Sequence, residues 1–177
     1  MANTDAPHGL NAVKMLNGGK IPMNKYTVAA TTAVYQGDVV TLRANGLVAT
    51  LKTTGGATNI VGVAANYSAV GGEVWVYDDP RTIFEVQSDG ATDPGSTTSV
   101  AFRGNTGVLI LTAGNTTTKV SKHELDYSSV TTSTADPLQI IGYYQGVDND
   151  ATLAHARFLV LIKEHVYENV PEANSVI

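Results

Sequence analysis

The order of apolar and polar residues along the chain predicts many short β-strands. Runs rich in β-branched and aromatic residues alternate with clusters of Gly, Pro, Asn and Asp, which is typical of strands separated by turns. No window of about twelve residues carries the apolar stripe of an amphipathic helix, although residues 119–127 could form two helical turns. The predicted strands cover residues 39–44, 47–52, 59–65, 73–77, 82–87, 108–112, 137–145 and 156–165.

The strands differ in the burial that their patterns predict. Within residues 82–87, apolar Phe84 and Val86 alternate with polar residues, which predicts a strand with one buried face and one polar face. Residues 74–77 and 158–162 are continuous apolar runs instead. Such runs are typical of strands covered on both faces, so we expect these two strands to be central in their sheets.

The dipeptide Asn45-Gly46 predicts a β-hairpin between the first two strands. Asn and Gly tolerate the two positive φ angles of a type I′ turn, whose loop has two residues. In that register Leu42 pairs with Ala49, and one face of the hairpin is wholly apolar while the other is mixed. Turn chemistry and apolar pattern therefore agree on this hairpin.

These patterns predict an all-β protein, an antiparallel sandwich or barrel of about ten short strands with little helix. The expected arrangement is one β domain over residues 25–167. A short repeat is present, Ile-Val-Gly-Val at 60–63 and Ile-Ile-Gly-Tyr at 140–143. It indicates either two similar β lobes, 25–90 and 100–167, or a coincidence.

The two ends of the chain differ from the middle. Residues 1–24 carry isolated apolar side chains among Pro, Gly and Asn, and we interpret them as an extended N-terminal arm. This arm is either a frayed tail or a segment that orders against a neighbouring subunit. Residues 168–177 form a loose C-terminal tail, and residues 91–99 are the one plausible internal linker. In a neighbouring-subunit contact, the residues of the arm would be Leu10, Val13, Met15, Leu16 and Ile21.

Composition excludes several classes of function. The 177 residues include 11 Lys and Arg against 16 Asp and Glu, a net charge of −5, which argues against phosphate contacts to nucleic acid. Charged residues make up 15% of the chain, against about 25% in an average domain. Without Cys, the chain has no disulfide framework, thiolate metal site or cysteine nucleophile.

The apolar runs also argue against a membrane protein. Residues 1–10 lack the basic region and apolar core of a secretory signal. The longest strongly apolar run, residues 158–162, is far shorter than the roughly 20 residues that cross a bilayer. We therefore expect a soluble protein that is not exported by the usual route.

The His residues give little indication of chemistry. His8, His123, His155 and His165 have none of the spacings of a helical HExxH or a strand HxH motif, so surface or capping roles are expected. The chain also lacks G-x-S-x-G, S-x-x-K, Walker A and G-x-G-x-x-G sequences. The sequence predicts no catalytic residue, no cofactor and no metal site.

Two acidic clusters and one aromatic group are candidate sites. Asp78-Asp79 precedes Pro80, so a turn cap is favoured over a carboxylate dyad. Residues 148–150 begin like a calcium loop but lack its glycine, so an Asn- and Asp-rich loop is expected. A sugar platform of Trp75 with Tyr77, Tyr143 and Tyr144 is disfavoured because Trp75 lies in an apolar run and should be buried.

A set of short phrases stands in a fixed order across nearly the whole chain. The phrases are Gly9-Leu10, Met15-Leu16-Asn17-Gly18, Gly37-Asp38-Val39-Val40, Val76-Tyr77-Asp78-Asp79-Pro80, Phe84-Glu85-Val86-Gln87, Asp89-Gly90, Gly114-Asn115-Thr116-Thr117-Thr118, Glu124-Leu125-Asp126 with Ser128-Ser129, Pro137-Leu138-Gln139-Ile140-Ile141-Gly142, Asp148-Asn149, and Leu161-Ile162-Lys163 with His165. This ordered set resembles a family of virion structural proteins from tailed bacteriophages, of the head decoration type. The sequence departs from that family's pattern at residues 52–59 and 148–154, where longer or different segments are usual.

The resemblance implies a capsid decoration or cement protein that binds and stabilises the major capsid shell, with no catalytic residue to carry over. Its partners would be the major capsid protein and copies of itself, as a trimer or else a dimer, without nucleic acid or membrane. It would be made in the bacterial host cytoplasm and reside on the outer surface of the phage head. A tail, fibre or adhesion component and an enzyme on a β scaffold are the alternatives.

Overall fold

The protein folds as an all-β structure, which confirms the predicted fold class. The computed structural model describes residues 3–52, 59–90, 102–132 and 136–168. One 3₁₀ helix, η1 (Tyr127–Ser129), accompanies the strands in this part of the chain. The strands are β1 (Asn11–Met15), β2 (Asn24–Thr27), β3 (Val39–Leu42), β4 (Val48–Thr50), β5 (Ile60–Ala64), β6 (Glu73–Tyr77), β7 (Thr82–Gln87), β8 (Thr106–Gly107), β9 (Leu109–Thr112), β10 (Lys122–Leu125), β11 (Leu138–Tyr143) and β12 (Arg157–Ile162).

The strands form two open five-stranded sheets and one hairpin, all antiparallel. Sheet A has the order β1-β7-β12-β11-β8, sheet B has the order β2-β6-β5-β3-β4, and β9 pairs with β10. Each five-stranded sheet has two edges, so the arrangement is sandwich-like and not a closed barrel. Strands β1 and β2, both from the N-terminal end of the chain, are the edges next to β7 and β6.

The main core lies between sheet A, one face of sheet B and the β9–β10 hairpin. Phe84, Phe158 and Ile140 come from sheet A, and Ile60 and Val63 come from sheet B. These side chains are almost fully buried, and burial of each stabilises the fold by about 1.5–3 kcal/mol. The two sheets are therefore held together by one continuous apolar core.

A second, smaller core covers the other face of sheet B. Val40 and Val61 of the sheet pack there with Val28 and Val34, which come from the segment between β2 and β3. Sheet B is therefore buried on both faces over much of its area, which explains why β5 is buried at every position.

Burial in three strands differs from the sequence prediction. The alternating strand β7 is buried at all six positions. The continuous apolar runs in β6 and β12 lie inside their sheets as predicted, but both strands alternate between more and less buried positions. Periodicity indicated the strands correctly and misjudged what covers them, because covering depends on segments remote in sequence.

The hairpin at Asn45-Gly46 forms, but the predicted type I′ turn and its register are wrong. Gly46 has a φ of 78°, whereas Asn45 is not left-handed. The connection is a three-residue loop whose last residue, Gly46, adopts the positive φ that glycine tolerates. Leu42 consequently pairs with Val48 and not with Ala49, because one more loop residue shifts the register by one.

The predicted ends and connections also change. Within residues 119–127, where the sequence allows two helical turns, the chain forms strand β10 instead. Part of the predicted arm, residues 1–24, is extended as expected, but it forms β1 and pairs with β7 of its own sheet. The predicted linker, 91–99, and the tail beyond residue 168 lie outside the described residues.

The short internal repeat coincides with a shared structural detail. In β5, Val61 is an extra residue opposite β3, because Val40 pairs with Gly62 and the next pair involves Ile60. In β11, Ile141 is extra in the same way opposite β12. Each Ile-x-Gly repeat therefore carries a β-bulge at its middle residue.

Candidate functional site

The five predicted contact residues of the arm do not share one environment. Leu10 and Met15 are buried within the chain itself, so their side chains are not available to a neighbouring subunit in this fold. Val13 and Leu16 are 39% and 60% exposed, and Ile21 is half-buried. The structure therefore divides the predicted set into two core residues and three that reach the surface.

Exposed apolar side chains occur on or beside the edge strands β1 and β2. We call Val13, Leu16, Met23 and Trp75 the edge surface. Val13 lies on β1, and Leu16 follows it. Met23 precedes β2, and Trp75 lies on β6 opposite Lys25 of β2. Edge strands generally present unpaired backbone groups, so these apolar side chains lie on or beside strands with hydrogen-bonding capacity.

Trp75 forms the wall of an open groove of about 400 Å³. Met23, Asn66 and Tyr77 line the groove with it, and the indole is 45% exposed, contrary to the predicted burial. The Lys25 ammonium lies 5.5 Å from the indole ring centre. An exposed indole beside a methionine is suited to burial against another molecule.

A second, polar cleft of about 170 Å³ lies on the outer side of β7. Two of its lining residues belong to a chain of charges: His8 Nε2 is 3.6 Å from Glu85 Oε1, and Arg157 Nη1 is 3.3 Å from the same oxygen. Arg157 also pairs with Asp148. The cleft joins His8 and His155 to an acidic residue, but its volume is below the roughly 300 Å³ at which ligand pockets begin.

The charge chain changes the protonation of its members. The Glu85 carboxylate raises the pKa of His8 against the opposing effect of burial. The Arg157 guanidinium lowers the pKa of Asp148 below its ordinary value. Both shifts favour the ionised forms of His8 and Asp148.

The Asp148-Asn149-Asp150 loop has structural partners for all three side chains. Asn149 donates to the Arg157 carbonyl and accepts from its N–H at 3.0 and 2.8 Å. Asp150 accepts from the N–H and hydroxyl of Thr152. The loop thus uses its polar groups to hold the turn before β12, as the Asn- and Asp-rich interpretation predicted.

Asp78 and Asp79 have different structural roles. Asp79 caps the turn by accepting from the Arg81 N–H at 2.8 Å, as predicted. Asp78 is buried and accepts from the Tyr26 hydroxyl at 2.6 Å and from the Asn24 amide. Burial, and then the bond to Asp78, raise the pKa of the Tyr26 phenol. Asp78 therefore anchors the edge strand β2.

Two of the four His residues are buried, which corrects the surface prediction. His123 Nε2 lies 3.6 Å from Asp38 Oδ1, and its Nδ1 accepts from the Val39 N–H. His165 Nδ1 accepts from the Tyr167 N–H at 3.2 Å. Burial lowers the pKa of both imidazoles. Their apolar neighbours were too distant in sequence to reveal this burial.

The sequence was compared with known proteins and protein families. No protein-family model matches the sequence, and no curated protein is significantly similar to it. Among the described residues, no helix has both the length and the apolar character needed to cross a membrane.

Proposed function

We propose that the chain is a virion structural protein of a tailed bacteriophage, a capsid decoration or cement protein that binds the major capsid protein and further copies of itself. The observation that carries the proposal is the edge surface. Val13, Leu16, Met23 and Trp75 are exposed on or beside β1 and β2, which are edge strands among the described residues, or on the neighbouring strand β6. Exposed apolar groups on a β edge favour association, and a soluble monomer normally avoids them.

The chemistry of the edge surface supports a protein partner. Trp is enriched among the residues that dominate interface energies, and the indole of Trp75 has a large area left to bury. The edge of β2 offers backbone groups to an added strand. Lys25 and Glu73 pair at 3.0 Å beside the indole and give the surface a polar rim.

Symmetry explains how weak contacts could hold a shell. A decoration protein binds many equivalent positions, so individually modest contacts add through multivalency. The proposed assembly is a trimer, with a dimer as the alternative, on the outer surface of the head. The net charge of −5 suits a protein facing away from packaged DNA. Synthesis would take place in the host cytoplasm.

Imaging of the phage particle tests the location. Cryo-electron microscopy should show density for the β domain at regular positions on the head shell. Quantitative mass spectrometry should find on the order of hundreds of copies per particle, as symmetric coverage requires. Density confined to the tail, or only a handful of copies, would refute the decoration role.

Binding to shells tests the surface. We expect Trp75→Ala to weaken co-sedimentation with shells lacking this protein at least tenfold, because a methyl group replaces an indole that the contact with the shell would bury. Val147→Ser is the matched control, since Val147 is fully exposed in a loop outside the edge surface. Equal binding of both variants would exclude Trp75 from the interface.

A tail, fibre or adhesion component is the second candidate. The exposed indole of Trp75, with Tyr77 and Asn66 in the same groove, could stack on a sugar ring. A glycan array with the wild-type chain and the Trp75→Ala variant distinguishes the two functions. Glycan binding that the variant loses supports adhesion, and absence of binding to any glycan counts against it.

The proposal assigns no reaction to the chain. The cleft beside β7 brings His8 and His155 near Asp148, which is the minimum that an enzyme would need. Its small volume and the engagement of Asp148 with Arg157 favour a structural role. Hydrolase screens that detect turnover abolished by His8→Gln would overturn this part of the proposal.

A further inference from the structure

Three possible metal ligands from distant parts of the sequence meet beside the polar cleft. They are Asp5 of the N-terminal segment, Glu124 of β10, and His155, two residues before β12. One ligand atom of each lies within 4.8 Å of the other two. Neither the edge surface nor the charge chain of Glu85 and Arg157 uses these side chains.

The spacing suits a small divalent ion. His155 Nδ1 and Asp5 Oδ1 are 3.7 Å apart, too far for a hydrogen bond. Two ligand atoms each about 2.1 Å from a tetrahedral zinc ion stand about 3.4 Å apart. The observed separation of these two atoms is therefore within about 0.3 Å of the separation in a zinc site.

The imidazole of His155 has an enclosed nitrogen without a partner. Nδ1 is shielded from solvent and has no hydrogen-bond partner among the described residues. The ring lies against Gly90, where an added Cβ would stand 2.6 Å from ring atom Cε1. Gly90 also has a φ of 72°, so glycine alone fits this close approach. The ring is thus held with its free nitrogen next to the Asp5 carboxylate.

Two of the three ligands are carboxylates that lie close together. One oxygen of Asp5 and one oxygen of Glu124 are within 4.8 Å of each other, and Glu124 is partly buried. Like charges at this distance repel each other. A bound cation would relieve the repulsion between the carboxylates.

The N-terminal segment is anchored so that Asp5 reaches the cluster. The Asn3 amide donates to the carbonyls of Asp150 and Ala154 at 2.8 and 2.9 Å, and it accepts from the Asp150 N–H. On the other side of Asp5, the Ala6 N–H donates to Gln87 Oε1 at 2.9 Å. Asp5 is therefore positioned by contacts on both sides.

We propose that Asp5, Glu124 and His155 bind one divalent transition-metal ion, with Zn²⁺ as the best fit and water completing the coordination. One imidazole nitrogen with two carboxylate oxygens suits Zn²⁺ better than Ca²⁺, which prefers six or more oxygen ligands. The ion joins the N-terminal segment to β10 and to the turn before β12. This inference is independent of the proposed virion role.

Calorimetric titration of the full chain, treated with EDTA and dialysed, tests the site. ZnCl₂ should bind with one ion per chain and raise the melting temperature, whereas CaCl₂ should bind at least tenfold more weakly. Glu124→Gln and His155→Gln should each weaken Zn²⁺ binding at least tenfold. His8→Gln, which changes another imidazole near a carboxylate of the same cleft, should leave Zn²⁺ binding unchanged.

The metal-free variants distinguish loss of ligand from loss of fold. Without metal, Glu124→Gln should melt at or above the wild-type temperature, because one of the repelling charges is removed. It should then gain nothing from ZnCl₂. The proposal is overturned if wild-type chain shows no saturable Zn²⁺ binding, or if either ligand variant binds Zn²⁺ as tightly as wild type.

Discussion

Strands β6 and β7 are consecutive in the chain, yet their surroundings are opposite. β6 has the more apolar sequence, and it exposes Trp75 and Glu73. β7 alternates apolar and polar residues, and it is buried throughout, including Glu85. Burial in this protein thus follows what covers a strand and not how apolar the strand is.

The covering of β7 comes from the N-terminal segment, residues 3–8, and from β12. Gln87 accepts from the Ala6 N–H and donates to the Thr4 carbonyl at 2.8 Å. His8 and Arg157 both approach the same carboxylate oxygen of Glu85. The polar face of β7 is thereby buried with partners, which avoids the cost of burying unsatisfied groups.

No comparable cover reaches the indole of Trp75 within the described residues. Tyr77, two residues later on the same side of β6, packs against Phe84 of the main core at 6.5 Å. Trp75 instead borders an open groove. The difference teaches that the chain covers the polar side chains of β7 and leaves the indole of β6 open, which is the arrangement expected of a surface completed by a partner.

The largest expected effect is the difference in stability between removing a buried ring of β7 and removing the exposed ring of β6. Phe84→Ala should lower the free energy of unfolding by about 3–5 kcal/mol, because the ring is buried and its removal leaves a cavity. Trp75→Ala should cost less than about 1 kcal/mol in the monomer, because half of the indole is in solvent. Urea denaturation measures both. Equal losses would remove the contrast between β6 and β7.

Much of the fold follows from local pattern. The bounds of β6 and β7 match the predicted residues 73–77 and 82–87, since β-branched runs ending in turn formers specify strands locally. Strand β2 was missed because Asn24–Thr27 carries too few apolar residues to show a period, and β1 was missed because the apolar residues of Asn11–Met15 do not alternate with polar ones. They become strands by pairing with β7 and β6.

The candidate site was less accessible to sequence analysis. Val13 and Leu16 were predicted as contacts and are exposed, but Leu10 and Met15 have the same apolar character and belong to the core. Nothing local distinguishes them, because burial depends on which sheet the segment joins. Trp75 was misjudged for the converse reason, since an apolar run indicates a strand and not its cover.

The charge network supplies the next largest effect. Arg157→Met should destabilise the fold by about 2 kcal/mol, because it leaves the buried Glu85 carboxylate with only His8 nearby. Lys25→Met is the matched control beside β6. Its pair with Glu73 is exposed and should be worth less than about 0.5 kcal/mol. Thermal unfolding of both variants measures the difference.

A smaller effect concerns the cover of β7 itself. Gln87→Leu removes the acceptor for the Ala6 N–H and the donor to Thr4, and should cost about 1–2 kcal/mol. Amide hydrogen exchange at Ala6 should accelerate, while the core strand β12 keeps its protection relative to global stability. If Ala6 exchanges as in wild type, the segment is held by other contacts and Gln87 is not its anchor.

The smallest expected effect is the pH dependence of the His8 contact, since His8 is a titrating group in the segment that covers β7. The Glu85 carboxylate raises the pKa of His8 in the folded state, so this contact stabilises fully below about pH 6.5 and is lost as the pH rises through the folded-state pKa. His123 and His165 act in the opposite direction: burial lowers the pKa of each, so they reduce stability as the pH falls below about 6.5.

The difference in unfolding free energy between wild type and a His8 variant isolates the contribution of His8 from those of His123 and His165. Urea denaturation of wild type and His8→Gln at several pH values between about 5 and 8 should show a difference below about 1 kcal/mol that is greatest at the acidic end. The difference should shrink toward alkaline pH, while both proteins keep the acid destabilisation that His123 and His165 cause. A difference that grows with pH would show that neutral His8 makes the stabilising contact, and the ionic cover proposed for β7 would then be wrong.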